Sequence, residues 1–331
     1  MKYIDFPQNV TSYYVNHILV KELHDTLLTG ESDFTFNLSE TVYFSALTLP
    51  NLLNIGFISK INLKNKIILI TPQNTKTTQF LFNHNFFDIC NQYDLFDYDE
   101  RFVGGFSTQD ETSISQTVFV PMTGFADKNE SFEYILRHLK KSFTIYNRIS
   151  NASEFIVILS ELCCNSLFHG NSHCIITSSK ANTKFPTMNI AISDTGFGFL
   201  RSIMRHKSHN FFSTQELSSN DCFTNLRAIF EAVFYRYTSE KYGLYSVLRD
   251  VIQKNGAFRI HFNDTQIIFN NSNCAQLKNF QSKLENSFIR DYFHYLTKEY
   301  TPNNRLESQL RITDYKLAGV HIEMEIPWYE A

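Results

Sequence analysis

The spacing of apolar and polar residues predicts alternating strands and helices in the first hundred residues. Phe34 to Leu38 alternates with the period of a strand, and Ser39 after it has the character of a helix cap. Apolar residues from Val42 to Ile58 recur at helical spacing, with Pro50 marking a start or a kink. The apolar run from Lys66 to Thr71 has the length and composition of a buried parallel strand. This βαβα order predicts a small sheet covered by helices.

The pattern in the rest of the chain also alternates between strand and helix periods. A helix is expected to begin at Asn151 or Ser153 and to end at Gly170. The final strand, Val320 to Ile326, alternates as a half-exposed strand does. The other expected elements are a strand near 117–121, a helix at 130–146, strands at 174–178 and 187–193, helices at 224–235 and up to 254, and a hairpin of 258–262 with 266–269 that turns at Asp264-Thr265.

The segment from Ser202 to Asp221 stands out because it is polar and rich in His, Ser and Asn. Its periodicity predicts no helix or strand. Because long structureless connections are uncommon inside compact domains, we expect a functional lid here.

Length and composition predict two α/β domains. With 331 residues the chain can form two cores, and the polar stretch with Gly104-Gly105 suggests domains at 1–100 and 126–331 joined by 101–125. A net charge of −3 offers no basic field for nucleic acid. No apolar run approaches the roughly 20 residues of a membrane span, and the N-terminus lacks the pattern of a signal peptide. Together with six cysteines outside any CxxC arrangement, this predicts a cytoplasmic protein.

Two short motifs, about thirty residues apart, carry the candidate chemistry. Glu161 and Asn165 lie four residues apart in an apolar-periodic helix, so they share one face. Asp194 ends a short apolar strand and precedes Gly196 and Gly198. Two carboxylates, a carboxamide and a flexible glycine turn are the groups that a nucleotide pocket with a magnesium ion requires.

Cysteine and histidine residues near these motifs raise the question of a zinc site. His169, His173 and Cys174 are close in sequence, but no fourth ligand follows at the spacing of a zinc site. Cys163 and Cys164 lie within the apolar helix and are best interpreted as small core residues.

The order of these parts resembles the GHKL nucleotide-binding fold, the superfamily of gyrase-type ATPases, heat-shock chaperone ATPases, histidine kinases, MutL proteins and anti-sigma serine kinases. Glu161-Leu162-Cys163-Cys164-Asn165 resembles its N-box, and Asp194-Thr195-Gly196-Phe197-Gly198 resembles its first glycine box. Lys241-Tyr242-Gly243-Leu244 occupies the place of the second, and Gly319 to Pro327 is similar to the last strand. The resemblance covers roughly 200 residues and implies a two-layer α/β sandwich of the Bergerat type.

The resemblance implies a role for each matching residue. Asn165 would bind Mg²⁺ through its side-chain oxygen, the ligand type that this hard ion takes. Asp194 would accept a hydrogen bond from the adenine amino group and so select adenine over guanine. Gly196 and Gly198 would let the backbone pass close to the base and ribose.

The second glycine box departs from the family pattern. Gly243, next to Leu244, would present backbone amides at a helix start to the phosphates of ATP. The family has two or three glycines here, whereas Lys241 and Tyr245 occupy the other glycine positions of this chain. This departure favours the binding of ATP over its hydrolysis.

The residue type at the position of Glu161 differs between the branches of the superfamily. Gyrase-type ATPases and anti-sigma kinases have glutamate at this place, where it can orient or deprotonate an attacking water or hydroxyl. Histidine kinases usually have asparagine or a related residue. The resemblance therefore favours ATP hydrolysis or serine phosphorylation, with Glu161 as the catalytic base.

The N-terminal part resembles a STAS domain, the anti-sigma-antagonist fold. Phe36-Asn37-Leu38-Ser39 is similar to its Phe-Asp-Leu-Ser strand end, and 80–87 is similar to the segment before its last helix. The phosphoacceptor position of that family falls on Ala46, after Ser45, and alanine cannot accept phosphate. This domain is therefore interpreted as a scaffold or protein-binding module.

Together these observations predict a regulatory, signalling-type protein with a STAS-like N-terminal domain and a C-terminal domain that binds ATP and Mg²⁺. A protein partner is expected to bind through the N-terminal domain, without nucleic acid or membrane, and a homodimer is left open. The alternative is a non-catalytic nucleotide-sensing module whose ATP-bound lid docks a partner.

Overall fold

A computed structural model gives the fold of the chain. It describes residues 1–63, 66–99, 116–122, 127–143, 152–168, 170–181, 187–207, 209–235, 243–272, 286–298, 300–301 and 309–327. Within these residues the protein is mixed α/β, with parallel and antiparallel strand pairs, as the sequence pattern predicted. Most of the predicted connection 101–125 lies outside the described residues.

Two compact units divide the chain. The first contains Met1–Phe119 with Ile175–Lys180 and Asn189–Ser193. The second contains Val120–Cys174, Ala181–Met188 and Asp194–Ala331. All described candidate site residues belong to the second unit.

The first unit is built on a four-stranded sheet with the order β1-β3-β5-β6, and every neighbouring pair in it is parallel. Its strands are β1 (Lys2–Asp5), β3 (Phe34–Asn37), β5 (Ile67–Ile70) and β6 (Phe96–Asp97). A separate parallel pair joins β2 (Asn9–Val10) to β4 (Tyr43–Phe44). The predicted strands near 34–38 and 66–71 are confirmed, and the second is parallel as expected.

Helices with apolar residues accompany this sheet. They are α1 (Val20–Leu28) after the π-helical turn Tyr14–Leu19, α2 (Leu49–Ile58) between the 3₁₀ turn Ala46–Thr48 and the π-helical turn Ser59–Leu63, α3 (Thr75–Asn83) and α4 (Phe86–Tyr93). Asn74 starts α3 because its side chain accepts the N–H groups of Lys76 and Thr77. Two expectations here are wrong. Ser39 caps no helix, and the helix expected from Val42 begins only at Leu49, because Tyr43–Phe44 pairs with β2.

A five-stranded sheet follows with the order β10-β11-β9-β8-β7. Its strands are β7 (Gln116–Val120), β8 (Cys174–Ala181), β9 (Thr187–Asp194), β10 (Ala257–Asn270) and β11 (Leu310–Pro327). The accompanying helices are α5 (Lys128–Phe143), α6 (Ala152–Phe168), α7 (Gly198–His206), α8 (Thr214–Leu217), α9 (Thr224–Phe234), α10 (Leu244–Gln253) and α11 (Asn286–Lys298).

The predicted hairpin at 258–269 is wrong, because β10 is one continuous strand paired antiparallel with β11. Asp264 and Thr265 looked like a turn from sequence. Here the pairing register shifts around Asn263, whose φ of 55° places a left-handed residue inside the strand. A bulge therefore produces the turn-like composition without reversing the chain.

The last strand is more buried than its alternating sequence predicted. His321 is 2% exposed and Glu323 4% exposed, so both faces of this part of β11 are covered. Cross-strand partners accommodate these polar groups: His261 lies opposite His321, and Arg259 lies opposite Glu323. Burial opposes the charge on Arg259, but Glu323 and Glu325 raise its pKa overall. The half-exposed expectation is therefore wrong, because paired polar groups can be buried.

His84 is fully buried between α3 and α4, and neither ring nitrogen has a hydrogen-bond partner among the described residues. Its ring packs against Phe80 at a centroid distance of 4.3 Å. Burial lowers the pKa of His84 from 6.5 to about 3. Protonation therefore favours the unfolded chain, and the stability contributed by the neutral ring is present above pH 6.5 and lost as the pH falls towards 3.

We expect the free energy of unfolding of wild type to fall more steeply with acid than that of His84→Phe or His84→Leu. Between pH 6.5 and 4.5 the extra loss in wild type should be about 2–3 kcal/mol, since one pKa unit corresponds to about 1.4 kcal/mol. Urea titrations at half-unit pH steps measure how the free energy of unfolding changes with pH. A packing cost of the substitution that is independent of pH does not affect this slope. Equal slopes in wild type and both variants would contradict the assignment.

Candidate functional site

Asp194 is the most strongly held polar residue of the predicted site. It ends β9 with its side chain buried, and its Oδ1 accepts the backbone N–H of Gly196 at 2.8 Å and of Val320 at 3.2 Å. Burial raises the pKa of Asp194, while hydrogen bonds from the Ser166 hydroxyl and from these two amides act in the opposite direction. Three elements, α6, β9 and β11, thus fix one carboxylate.

The loops after α6 and β9 are joined to each other. The Ser172 and Thr195 hydroxyl oxygens lie 3.0 Å apart, and the Thr195 N–H donates to Ser172 Oγ at 3.3 Å. The Phe197 N–H donates to the Gly170 carbonyl at 3.0 Å. The end of the predicted N-box helix and the predicted first glycine box therefore form one connected unit, although about thirty residues separate them.

Gly196 and Gly198 are required by contacts within the protein. A Cβ on Gly196 would approach the Gly170 carbonyl oxygen to 2.5 Å. Gly198 has a φ of +71°, and a Cβ there would overlap the Phe262 ring. The fold alone accounts for both glycines, so the close approach to base and ribose that the resemblance implies stays a prediction.

Gly319 is a further glycine that the site needs. Its φ is +98°, and a Cβ there would overlap the carbonyl oxygen of Asp194. The following residue, Val320, supplies one of the two amides that bind the Asp194 carboxylate. From sequence Gly319 only marked the start of the last strand, because its contact with Asp194 spans more than a hundred residues.

Glu161 and Asn165 lie one helical turn apart on α6, both with half-buried side chains. Among the described residues, no hydrogen bond or ion pair engages the Glu161 carboxylate or the Asn165 carboxamide. The next residue, Ser166, bonds to Asp194. The same helix therefore anchors the buried carboxylate and presents two oxygen-bearing groups that a ligand or ion can engage.

Gly243 has no structural requirement within the part of the chain that is described. It is the N-cap of α10 with an extended backbone (φ −170°), and a Cβ there would meet no atom within 4 Å. No side chain caps this helix, whose next residue, Leu244, is buried. Lys241 and Tyr242, the preceding residues of the predicted second glycine box, lie outside the described residues.

The expectation that 202–221 contains no helix is wrong, whereas its role as a lid stays a prediction. α7 extends to His206, and α8 begins with a capping box in which Ser213 and Glu216 bond reciprocally. The fully buried Glu231 carboxylate accepts the backbone N–H groups of Asn210, Phe211 and Phe212, each at 2.7 Å. The Glu231 carboxylate, from α9, therefore accepts three backbone N–H groups of a stretch that is neither helix nor strand.

Arg227 holds the end of the same segment. Its guanidinium donates to both carboxylate oxygens of Asp221, to the Ser219 hydroxyl and to the Glu216 carbonyl, at 2.7–3.0 Å. Such a bidentate, multiply bonded arginine fixes geometry as well as charge. These hydrogen bonds fix the end of the segment to α9.

The described residues contain no group of three metal-ligating side chains of the His, Cys, Asp or Glu type. His173 and Cys174 are buried, burial lowers the pKa of His173 to about 4, and His169 lies outside the described residues. Cys163 and Cys164 are free and fully buried, which confirms their prediction as core residues, and burial raises the pKa of both thiols.

Comparisons with known proteins give no family. Neither a protein-family model, nor a curated protein, nor a solved structure matches the chain. Within the described residues no helix is long and apolar enough to cross a membrane.

Proposed function

We propose that the chain is a cytoplasmic regulatory protein of the GHKL type whose C-terminal unit binds ATP together with Mg²⁺. The observation that carries the proposal is the buried Asp194 carboxylate, fixed by Ser166, Gly196 and Val320 beside a helix whose Glu161 and Asn165 have no partner among the described residues.

Asp194 would recognise the base. Its Oδ1 already accepts two backbone amides, so the carboxylate is held in one orientation. A carboxylate is an acceptor only, and the adenine amino group donates, whereas guanine presents a carbonyl oxygen at the equivalent position. A fixed acceptor in a buried place therefore favours adenine nucleotides, because an unpaired acceptor facing an acceptor is costly.

The exposed side of α6 and the start of α10 would bind the polyphosphate and its metal. Asn165 offers an uncharged oxygen of the kind that Mg²⁺ takes alongside phosphate oxygens. Among the described residues, no side chain caps α10 at Gly243. The first backbone N–H groups of α10, at the positive end of its dipole, can therefore bind an anion. Both features suit anionic phosphates.

Glu161 would act as the base if the nucleotide reacts. A water molecule or a protein serine hydroxyl would attack the γ-phosphorus, its proton would pass to the Glu161 carboxylate, and the bond from the γ-phosphorus to the bridging oxygen would break to release ADP. Mg²⁺, when bound, would supply charge neutralisation at the phosphate oxygens.

Gly243→Ala gives the sharpest test of the phosphate site. Because no described atom lies near the added methyl group, the free energy of unfolding should change by less than about 1 kcal/mol. ATP affinity should fall about 10-fold through crowding of the phosphates, and adenosine affinity should stay unchanged. Calorimetric titration with both ligands measures the two affinities.

Gly198→Ala is the contrasting variant, since its methyl group would overlap Phe262 and lower stability without any ligand. An unchanged ATP affinity in Gly243→Ala would refute the phosphate assignment.

The alternative, a nucleotide-sensing module without turnover, is favoured by the single glycine of the second box. A single-turnover assay with γ-labelled ATP, comparing wild type with Glu161→Ala, separates the two. We expect label release in wild type and a loss of at least about 100-fold in the variant. Equal release in both proteins would refute Glu161 as base, and tight binding without release would establish the sensing alternative.

A further inference from the structure

The two faces of the parallel sheet in the first unit differ sharply. One face carries large apolar side chains that are at most 4% exposed: Ile4, Phe34, Phe36, Ile67, Leu69 and Phe96. The register places Tyr3, Thr35, Ile68 and Asp97 side by side on the other face, with Asp5, Asn37 and Ile70 in the next row. On this second face Tyr3 is 51% and Ile68 is 38% exposed, and the smaller Thr35 between them is 4% exposed. We call the set Tyr3, Asp5, Ile68, Ile70 and Asp97 the open face.

An uncovered face is unusual for this kind of sheet. Sheets whose strands are all parallel occur almost only with both faces covered, and their strands are accordingly apolar on both sides. β5 follows that rule with four consecutive apolar residues, Ile67–Ile70, yet Ile68 faces outward. The composition of β5 is thus that of a strand covered on both faces, whereas β1, β3 and β6 have polar residues on the second face.

The chemistry of the open face is apolar at its centre and acidic on its outer strands. Ile68 and Ile70 lie on β5, an inner strand, and the Met1 sulfur lies 3.4 Å from the Thr35 hydroxyl beside them. Asp5 and Asp97 lie on the edge strands β1 and β6. Asp97 bonds to Lys66, whereas the Asp5 carboxylate accepts the Asn37 amide, which does not neutralise its charge.

The size of the open face limits what can occupy it. Three strands of four residues and the two-residue β6, about 4.8 Å apart, present at most roughly 14 by 13 Å, or less than about 200 Å². A stable interface between two copies buries about 800 Å² on each partner, several times more. One α-helix, about 10 Å across, matches the width of the face.

We propose that the open face docks an amphipathic helix of another protein, with an apolar stripe over Ile68, Ile70 and Tyr3 and basic side chains at its flanks near Asp5 and Asp97. The bound helix would complete the second layer that a parallel sheet requires. The face lies wholly in the first unit and the proposal does not depend on nucleotide binding.

The test uses a defined probe, a labelled 14-residue helix-forming peptide with leucine along one side and lysine on both flanks, in fluorescence-anisotropy titrations of the full chain. Wild type should bind with a Kd below about 100 µM, and Ile68→Lys and Tyr3→Lys should each weaken binding at least about 10-fold, because a lysine would be buried against leucine. Leu28→Lys is the matched control: Leu28 is 75% exposed at the end of α1, outside the open face, and binding should not change.

Charge is tested separately. The same peptide with glutamate in place of lysine should bind at least about 10-fold more weakly to wild type, and Asp5→Asn with Asp97→Asn should reduce this difference. Thermal unfolding of each variant confirms that it is folded. The proposal is overturned by absence of binding at 100 µM, by equal binding to wild type and Ile68→Lys, or by sedimentation showing a dimer that Ile68→Lys dissociates.

Discussion

Replacing Glu231 by alanine should lower the free energy of unfolding by about 3–5 kcal/mol, the largest stability effect that we expect from a single substitution in this protein. Glu231 is fully buried, and its two oxygens accept three consecutive backbone amides at 2.7 Å. Each hydrogen bond to a charged group contributes about 1.5–3 kcal/mol, and a buried donor left without a partner is penalised further.

Glu231→Gln should cost about 2–3 kcal/mol, less than alanine. Whichever way the carboxamide is oriented, its NH₂ group faces at least one backbone donor that the carboxylate accepted. Urea unfolding measures the free energies, and hydrogen exchange should show lost protection at the Phe211 and Phe212 amides. Glu133→Gln, at an exposed position of α5, is the control and should stay within about 0.5 kcal/mol of wild type. A loss below 1 kcal/mol for Glu231→Ala would contradict the role of Glu231 in fixing this segment.

Asp194→Asn should reduce ATP affinity by 10- to 100-fold, the largest functional effect expected from a conservative change. Asparagine can still accept the Gly196 and Val320 amides through its oxygen, so the fold is retained. Its NH₂ group then replaces the oxygen that would accept the adenine amino group, and a donor faces a donor. The loss of one such bond corresponds to about 1.5–3 kcal/mol.

The same variant should narrow the preference for ATP over GTP, because the new NH₂ group can donate to the guanine carbonyl. Calorimetric titration with both nucleotides measures the two affinities. Asp291→Asn, on the exposed side of α11, provides the matched Asp-to-Asn control and should bind like wild type. A folded Asp194→Asn protein with unchanged ATP affinity would remove Asp194 from the proposed site.

Local patterns in the sequence were sufficient where one segment determines its own structure. The apolar run at Ile67–Ile70 is a parallel strand, as its length and composition predicted. The motif around Asp194 likewise marked a residue that the structure holds with three hydrogen bonds.

Contacts with residues distant in the sequence determine the structures that local patterns did not predict. The periodicity of the polar segment 202–221 predicted no helix, yet Ser213 and Glu216 form a local capping box, and Glu231 and Arg227 fix the segment from α9. Asp264 and Thr265 have turn composition but lie in a bulged strand, since β11 pairs on both sides of Asn263. His321 and Glu323 alternate like exposed residues and are buried, because β10 brings His261 and Arg259 opposite them. The contact that makes Gly319 necessary, with Asp194, is equally non-local.

The same distinction applies to the two proposals. The nucleotide site rests on residues that the sequence motifs marked and that α6, β9 and β11 bring together. The open face emerged only when the register of β1, β3 and β5 placed Tyr3 beside Ile68, because alternation alone does not reveal which side of a sheet remains uncovered.

The most direct measurement of the central claim is the melting temperature of the full chain with ATP or GTP, each with magnesium. At about 100 times Kd, a ligand that binds only the folded protein adds about 2.7 kcal/mol, and we predict that ATP raises the melting temperature by about 5 °C while GTP leaves it within about 1 °C of the ligand-free value. Equal shifts with both nucleotides, or no shift with ATP, would contradict an adenine-selective nucleotide site at Asp194.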